Sequence, residues 1–185
     1  MPVVSLVLST VGVGVVLLAC GSLLYFYLRT GAPPVPSAAD EAADVVASLR
    51  EAGIEEGAKI YELGCGWGGL ALRLASAFPA AQIIGLELSP LPALVARIRA
   101  LGINNLTVRR ADFHHVSLAD ADALTCYLMI KPMPRLAATL DRQLRPGTPV
   151  VALTFWFRER TPQTTRRGPG VRGDVALYAW GHAPP

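Results

Sequence analysis

Lys59-Ile-Tyr-Glu-Leu-Gly-Cys-Gly-Trp-Gly-Gly-Leu70 is a short apolar strand that breaks into glycines and then enters a helix. Ile60 to Leu63 read as a buried strand with Glu62 at its end, and Gly64, Gly66, Gly68 and Gly69 permit a tight turn and close approach to a ligand. Leu70, Leu72, Leu74, Ala75 and Phe78 continue at helical spacing, so the N–H groups that open this helix face the same turn. A strand, a glycine turn and a helix N-terminus in this order form a nucleotide-type cradle.

Two cofactor classes use such a turn. Gly64-x-Gly66-x-x-Gly69 satisfies the dinucleotide fingerprint, and Glu87 stands at the right distance downstream to meet a ribose hydroxyl. The acidic residue two places before the first glycine separates the classes. In Glu62-x-Gly64-x-Gly66-x-Gly68 a carboxylate would attract the amino group and sulfonium of S-adenosylmethionine, whereas it would repel a pyrophosphate. The pattern therefore favours the methyl donor over a nicotinamide.

The chain has 185 residues, room for one ordinary domain and an appendage. Its 52% apolar content is raised by the first stretch: Val3 to Leu28 holds no charged residue and is long enough to cross a bilayer as a helix. Tyr25, Phe26 and Tyr27 lie where an aromatic belt would form, and Arg29 follows. The positive-inside tendency then places the rest of the chain in the cytoplasm. Leu17-Leu18-Ala19-Cys20 also resembles a lipoprotein cleavage box, but no positive residue precedes the apolar run and the run continues past Cys20. The expected organisation is an anchor over residues 1–29, a stiff Pro-rich linker over 30–36, and one domain over 37–185, opened by the helix-start signal Ser37-x-x-Asp40. The first domain helix would bury Ala39, Ala43, Val46 and Leu49 and stop near Gly53.

Beyond the glycine turn, strand and helix alternate. Gln82 to Leu88 reads as the second strand, ending in Glu87, and Ser89-Pro90 starts a helix whose stripe is Leu94, Val95, Ile98 and Leu101. Leu106 to Val108 forms a third strand with Asp112-Phe113 beyond it, and Ala123 to Ile130 a fourth, followed by a helix over Pro134 to Leu144. Val150 to Phe157 is a fifth strand and Asp174 to Trp180 a returning edge strand, with Arg158 to Gly173 as a basic loop between them. This alternation predicts an α/β fold: a Rossmann-like, doubly wound, mostly parallel sheet with an antiparallel C-terminal edge, preceded by one N-terminal transmembrane helix.

The net charge of +3 hides an uneven distribution, since only Lys59 and Lys131 are lysines and the arginines gather at Arg97, Arg99, Arg109, Arg110 and in the tail loop. That loop lacks interleaved aromatic residues and any nucleic-acid module pattern, so anionic lipid headgroups or solvent are its expected partners. Cys65 and Cys126 have no zinc spacing, and no metal is implied. His114 and His115 read as partly exposed loop residues that are available as proton acceptors.

The N-terminal apolar segment, Pro33-x-x-Pro36, Glu62-Leu-Gly-Cys-Gly-Trp-Gly68, Glu87-Leu-Ser-Pro90, Ala111-Asp-Phe113, Thr125-Cys-Tyr-Leu-Met129 and Leu144-Arg-Pro-Gly-Thr-Pro-Val-Val151 resemble the bacterial relatives of the ATP synthase c-subunit lysine methyltransferases. These belong to the class I methyltransferase superfamily, and the likeness covers nearly the whole chain. It implies the class I methyltransferase sheet and a site for S-adenosyl-L-methionine. The cofactor-binding residues it implies are Glu62, Gly64, Cys65, Gly66, Trp67, Gly68, Glu87, Asp112 and Phe113, with Tyr127 bordering the transferred methyl. In this reading Glu87 accepts the ribose hydroxyls and Asp112 the adenine amino group, while Phe113 or Trp67 lines the base. Two departures stand on the substrate side: the proline expected soon after Met129 is displaced to Pro132, and the polar residues usual on the fifth strand are replaced by Leu153-Thr-Phe-Trp-Phe157.

The expected function is thus a membrane-anchored S-adenosylmethionine-dependent N-methyltransferase acting on a lysine of a membrane protein, with a lipid or small amine as other acceptors. Nucleic acid is not an expected partner, and the sequence is silent on oligomeric state. A nicotinamide-dependent oxidoreductase using the same glycines is the second reading, from another enzyme class. The third reading is a non-catalytic membrane module that binds the cofactor for stability.

Overall fold

The computed structural model describes residues 2–30, 39–168 and 173–181. The first element is helix α1 (Pro2–Thr30), whose apolar window Leu6–Arg29 has 24 residues, none of them buried. At about 1.5 Å per residue such a window exceeds the roughly 30 Å of a bilayer's hydrocarbon core. It runs through Thr30, one residue past the expected boundary. The rest of the Pro-rich linker and the Ser37 start signal lie outside the described residues.

The domain is a seven-stranded sheet in the order β3-β2-β1-β4-β5-β7-β6. Its strands are β1 (Lys59–Leu63), β2 (Gln82–Glu87), β3 (Leu106–Arg110), β4 (Ala123–Cys126), β5 (Pro149–Leu153), β6 (Thr164–Arg166) and β7 (Val175–Ala179). The first five are parallel; β7 runs antiparallel to β5, and β6 antiparallel to β7. Four helices cover the sheet: α2 (Ala39–Glu51), α3 (Gly69–Ala77), α4 (Pro90–Arg99) and α5 (Met133–Gln143). Helices α2, α3 and α4 pack with Ile60, Ile83, Val151 and Leu177 on one face; α5 packs through Met133, Leu136 and Leu140 with Leu63, Leu124 and Val150 on the other. Wide apolar contact on both faces explains why β1, β4 and β5 are almost continuous apolar runs.

Several expectations need correction. Helix α2 buries Ala42, Val45, Val46 and Leu49 and leaves Ala43 exposed, so its core stripe is rotated by one residue. Helix α4 is turned further: Pro92, Ala93 and Ala96 face the sheet, whereas Leu94, Ile98 and Leu101 are exposed. The small face wins because α4 lies close to the glycine turn; a Cβ added to Gly68 would stand 3.0 Å from that of Ala96. The fourth strand stops at Cys126, and the fifth at Leu153, where Thr154 takes a left-handed φ of 65°. Part of the expected basic loop is the edge strand β6. Arg166 pairs with Glu51 at 2.9 Å, and Arg160 pairs with Asp141 while its guanidinium lies 4.1 Å from the Trp180 ring centroid. Arg172 lies outside the described residues.

Candidate active site

Strand order reverses between β1 and β4, so the crevice of this sheet opens beyond the carboxyl ends of those two strands. The glycine turn leaves β1 at that point. Gly64 and Cys65 both donate their amides to the Leu86 carbonyl, at 2.8 and 3.0 Å, which ties the turn to the end of β2. Gly64 has φ 74°, and a Cβ there would meet Leu128 Cδ2 at 2.7 Å. Both the left-handed backbone and the neighbouring side chain therefore demand glycine. Before Gly66, with φ 52°, there is open space on the side a Cβ would take. A ligand can approach the backbone there.

Glu87 braces this turn. Its Oε2 accepts from Gly66 N at 2.9 Å and its Oε1 from Ser89 N at 2.7 Å, so one carboxylate joins the end of β2, the glycine turn and the start of α4. A carboxylate has about four acceptor positions, so two remain for hydroxyl donors. Ser89 does stand at the α4 N-cap and Pro90 in the first turn, but the Ser89 side chain makes no capping bond.

Glu62 is in a different environment. It is 4% exposed, its Oε2 has no hydrogen-bond partner, and its pKa is raised to about 8, first by burial and then by the charge of Glu87, against a lowering bond from the Ala71 amide. Thr125, its register partner on β4, is also buried with an orphaned hydroxyl. Two unpaired polar groups side by side at a switch point mark a place prepared for a polar or cationic ligand.

The remaining candidates fall around this centre. Ala111 N donates to the Glu87 carbonyl at 2.9 Å, which brings Asp112 and Phe113 beside the end of β2. Asp112 caps the short 3-10 turn Phe113–His115 by accepting from His114 N at 3.0 Å, and it lies 3.4 Å from His115 Nδ1. Phe113 is half-buried, and its ring centroid lies 4.5 Å from that of His114 in a tilted pair. His114 is half-buried too, with Nδ1 3.0 Å from Thr139 Oγ1 and its pKa lowered first by burial and then by Arg135; His115 is exposed. Trp67 is half-buried, and its carbonyl accepts from Arg99 at 2.7 Å. Cys65 points inward, 5% exposed, beneath Gly85, and burial pushes its thiol far up, so only its backbone can serve a ligand. Tyr127 is the first residue past β4 and half-buried, and Leu128 beside it packs on Gly64.

Thr125 escaped the sequence reading. Its only signal was a hydroxyl inside an apolar strand, and its importance depends on pairing with a residue 63 positions away. The Arg99 to Trp67 bond and the Gly85 to Cys65 contact were hidden for the same reason.

The ANTKMT methyltransferase domain matches over residues 62–164, more than half of the chain. The chain belongs to this methyltransferase family. A protein-lysine N-methyltransferase of Saccharolobus islandicus is 27% identical over 107 residues, which cover 56% of this chain and 66% of that enzyme, just under two thirds. A trans-aconitate 2-methyltransferase of Deinococcus radiodurans is 34% identical over 93 residues, covering 49% of this chain and 35% of the enzyme. Among solved structures, an RNA methyltransferase from Salinibacter ruber in complex with S-adenosyl-L-homocysteine superposes with a TM-score of 0.71 at 27% identity, over 81% of this chain and 97% of that one. An amino pentose methyltransferase from Micromonospora echinaspora with bound S-adenosylmethionine gives 0.52 at 30% identity, over 71% and 58%.

This member of the ANTKMT family is a class I methyltransferase, and its cofactor is S-adenosylmethionine. The residues present fit that group. The open face at Gly66, the buried unpaired oxygen of Glu62 and the spare acceptor capacity of Glu87 offer a backbone cradle, an anionic contact and a hydroxyl acceptor within one rim.

Proposed function

We propose that this chain N-methylates a lysine of a membrane protein while anchored in the same membrane by α1, with its domain in the cytoplasm. The observation that carries the lysine reading is the likeness to the Saccharolobus islandicus protein-lysine N-methyltransferase within a family model that matches most of the domain. The 24-residue exposed apolar window of α1 supports the membrane setting, and Arg29 at its end supports the orientation.

In this reading Glu62 meets the cationic end of the cofactor, the Gly64 to Gly68 backbone follows its body, and Glu87 accepts the ribose hydroxyls. Asp112 accepts from the adenine amino group, with Phe113 and Trp67 along the base. When bound, S-adenosylmethionine would supply an electrophilic methyl carbon that an unprotonated amine nitrogen can attack, with the C–S bond breaking and the thioether leaving as S-adenosylhomocysteine. The chain's contribution is then alignment and the exclusion of water. Tyr127 stands past β4 at the mouth of the crevice, and beyond β5 the half-buried Phe155 and Trp156 replace the usual polar groups. An aromatic mouth suits a lysine side chain, whose apolar stem and cationic product both favour ring faces.

Radiolabelled methyl transfer from the full chain in detergent to total membrane protein, extracted lipid and total RNA tests the acceptor. The expected result is label in protein that acid hydrolysis releases as methyllysine. Label confined to RNA, the substrate named for the Salinibacter ruber relative, would replace the lysine reading. Recovery of the chain in membranes after alkaline carbonate washing tests the anchor, and a C-terminal reporter active only in the periplasm would reverse the orientation.

A further inference from the structure

We propose that the exposed face of α4 docks flat on an anionic lipid surface and holds the mouth of the active site against the bilayer. Leu94 and Ile98, 54% and 57% exposed, lie on the side of α4 opposite Pro92, Ala93 and Ala96, and Leu101, 77% exposed, stands in the turn just past the helix. At roughly 100° per residue, Arg97 and Arg99 flank Ile98 on its two sides. An apolar stripe edged by arginines is the form of an interfacial helix, in which the stems cover acyl chain while the guanidinium groups reach the headgroups.

Charge identifies the occupant. From Leu88 to Val108 the only charged residues are Arg97 and Arg99; Arg110 beyond them stands in register with Glu87. Arg97 and Arg99 are also held in place, through Val108 O at 3.1 Å and Trp67 O at 2.7 Å. A helix whose only charges are two fixed arginines beside an apolar stripe fits anionic headgroups better than it fits a second copy, whose α4 would present the same charge.

The position of α1 points the same way. Among the elements of the domain, α4 is the one that α1 approaches most, yet no residue of the apolar α1 window is buried and the α4 stripe stays exposed. Because Ala96 abuts Gly68 and Arg99 holds Trp67, the glycine turn lies about one helix diameter, roughly 10 Å, from the proposed surface. Docking would therefore present the site to acceptors at the headgroup level. The proposal rests on the membrane setting proposed above, but it does not require that α1 be inserted.

The test uses the full chain with Cys20→Ser and one fluorophore on Ile98→Cys, or on Arg142→Cys of α5 as the control on the other side of the sheet. Cys65 and Cys126 are buried and escape labelling. In vesicles of neutral lipid with about a third phosphatidylglycerol, a nitroxide lipid should quench the Ile98 label several-fold more than the Arg142 label. Arg97→Gln should lower the docked-to-undocked ratio about fivefold, the equivalent of one headgroup contact. Leu101→Asp, a change at an exposed position, should abolish the difference while binding of S-adenosylhomocysteine is kept. Equal quenching at both sites, or protection of Ile98 that appears equally in neutral detergent and rises with protein concentration, would overturn the proposal, the latter in favour of self-association. Alkaline carbonate reads the anchor separately. If it strips the chain, flotation with anionic vesicles before the wash supports α4 docking, and failure to float overturns it.

Discussion

Glu62 at the end of β1 is sealed from water with one oxygen unpaired, whereas Glu87, one strand away, is half-buried and holds two backbone amides of its own chain. Both are glutamates that end parallel strands at the same rim, and both would be sketched alike as cofactor ligands. Their surroundings separate them. Glu87 already does structural work for the glycine turn, while Glu62 carries a desolvation cost that a proton relieves until a cationic ligand takes its place. One therefore shapes the site before any ligand arrives, and the other makes the site respond to the ligand's charge.

The largest expected effect breaks the comparison at Glu62. Its folded pKa of about 8 lies above its ordinary value of 4.5, so between those values the folded state keeps a proton that the unfolded state has lost. Stability of the cofactor-free protein should accordingly fall as pH rises from 4.5 to 8, by at most about 5 kcal/mol at the limiting rate of 1.36 kcal/mol per unit. Below that window both states are protonated and above it both are ionised, so the slope should vanish on either side. Glu62→Gln should flatten the profile and weaken the cofactor. Denaturant melts of both forms across the window check this; a wild-type profile as flat as that of Glu62→Gln would return Glu62 to the class of solvated carboxylates. Saturating S-adenosylmethionine should also flatten the wild-type profile, because a cation restores the charged form.

At Glu87 the expected effect is on binding. Glu87→Ala removes two bonds to backbone amides and, in the proposed site, those to the ribose, so affinity for S-adenosylhomocysteine should fall by about 2 to 4 kcal/mol, roughly thirtyfold to a thousandfold. Titration calorimetry reads this loss. Amide exchange at Gly66 and Ser89 should accelerate as well, and only there if the fold is kept. Wild-type affinity in a folded Glu87→Ala protein would leave it a brace for the turn and nothing more.

What was legible in the sequence follows the same division between local and distant causes. The strand, glycine turn and helix of residues 59–77 depend on neighbours in the chain, and they were readable with Glu62 and Glu87 in place. Helix α4 was misread because it has two usable faces, a large one through Leu94 and Ile98 and a small one through Ala93 and Ala96. Periodicity finds both, and only the tight approach of Gly68 selects the small one. Strand β6 escaped notice because Thr164-Thr-Arg166 is short and polar, and β7 supplies the ladder that makes it a strand. Thr125 was quoted within a motif without a role, since its meaning comes from standing beside Glu62.

A smaller effect sharpens the contrast from below. Gly85 is the register partner of Glu62, and a Cβ there would meet Cys65 Sγ at 2.9 Å and its Cβ at 3.2 Å. Gly85→Ala should cost about 1 to 3 kcal/mol by overpacking. Adding Cys65→Ala should recover much of this, because the closer clash is with sulfur. Thermal melts of the two variants measure the coupling; additive losses would mean that the strain passes through the backbone instead.

Asp112 offers the smallest expected effect and a third kind of carboxylate. It is the N-cap of the 3-10 turn, bonded to His114 N at 3.0 Å, and half-buried, so its first duty is local as that of Glu87 is. Asp112→Ala should cost about 1 kcal/mol of stability through the lost cap, whereas Asp112→Asn, which keeps an acceptor oxygen, should lose little. Affinity tells whether the residue also reaches the cofactor. If Asp112 accepts from the adenine amino group, Asp112→Ala should weaken S-adenosylhomocysteine about fivefold more than a cap defect elsewhere in the domain, and an analogue lacking that amino group should bind wild type and variant equally. An equal loss for both ligands would confine Asp112 to the turn, leaving Glu62 and Glu87 as the carboxylates that define the site.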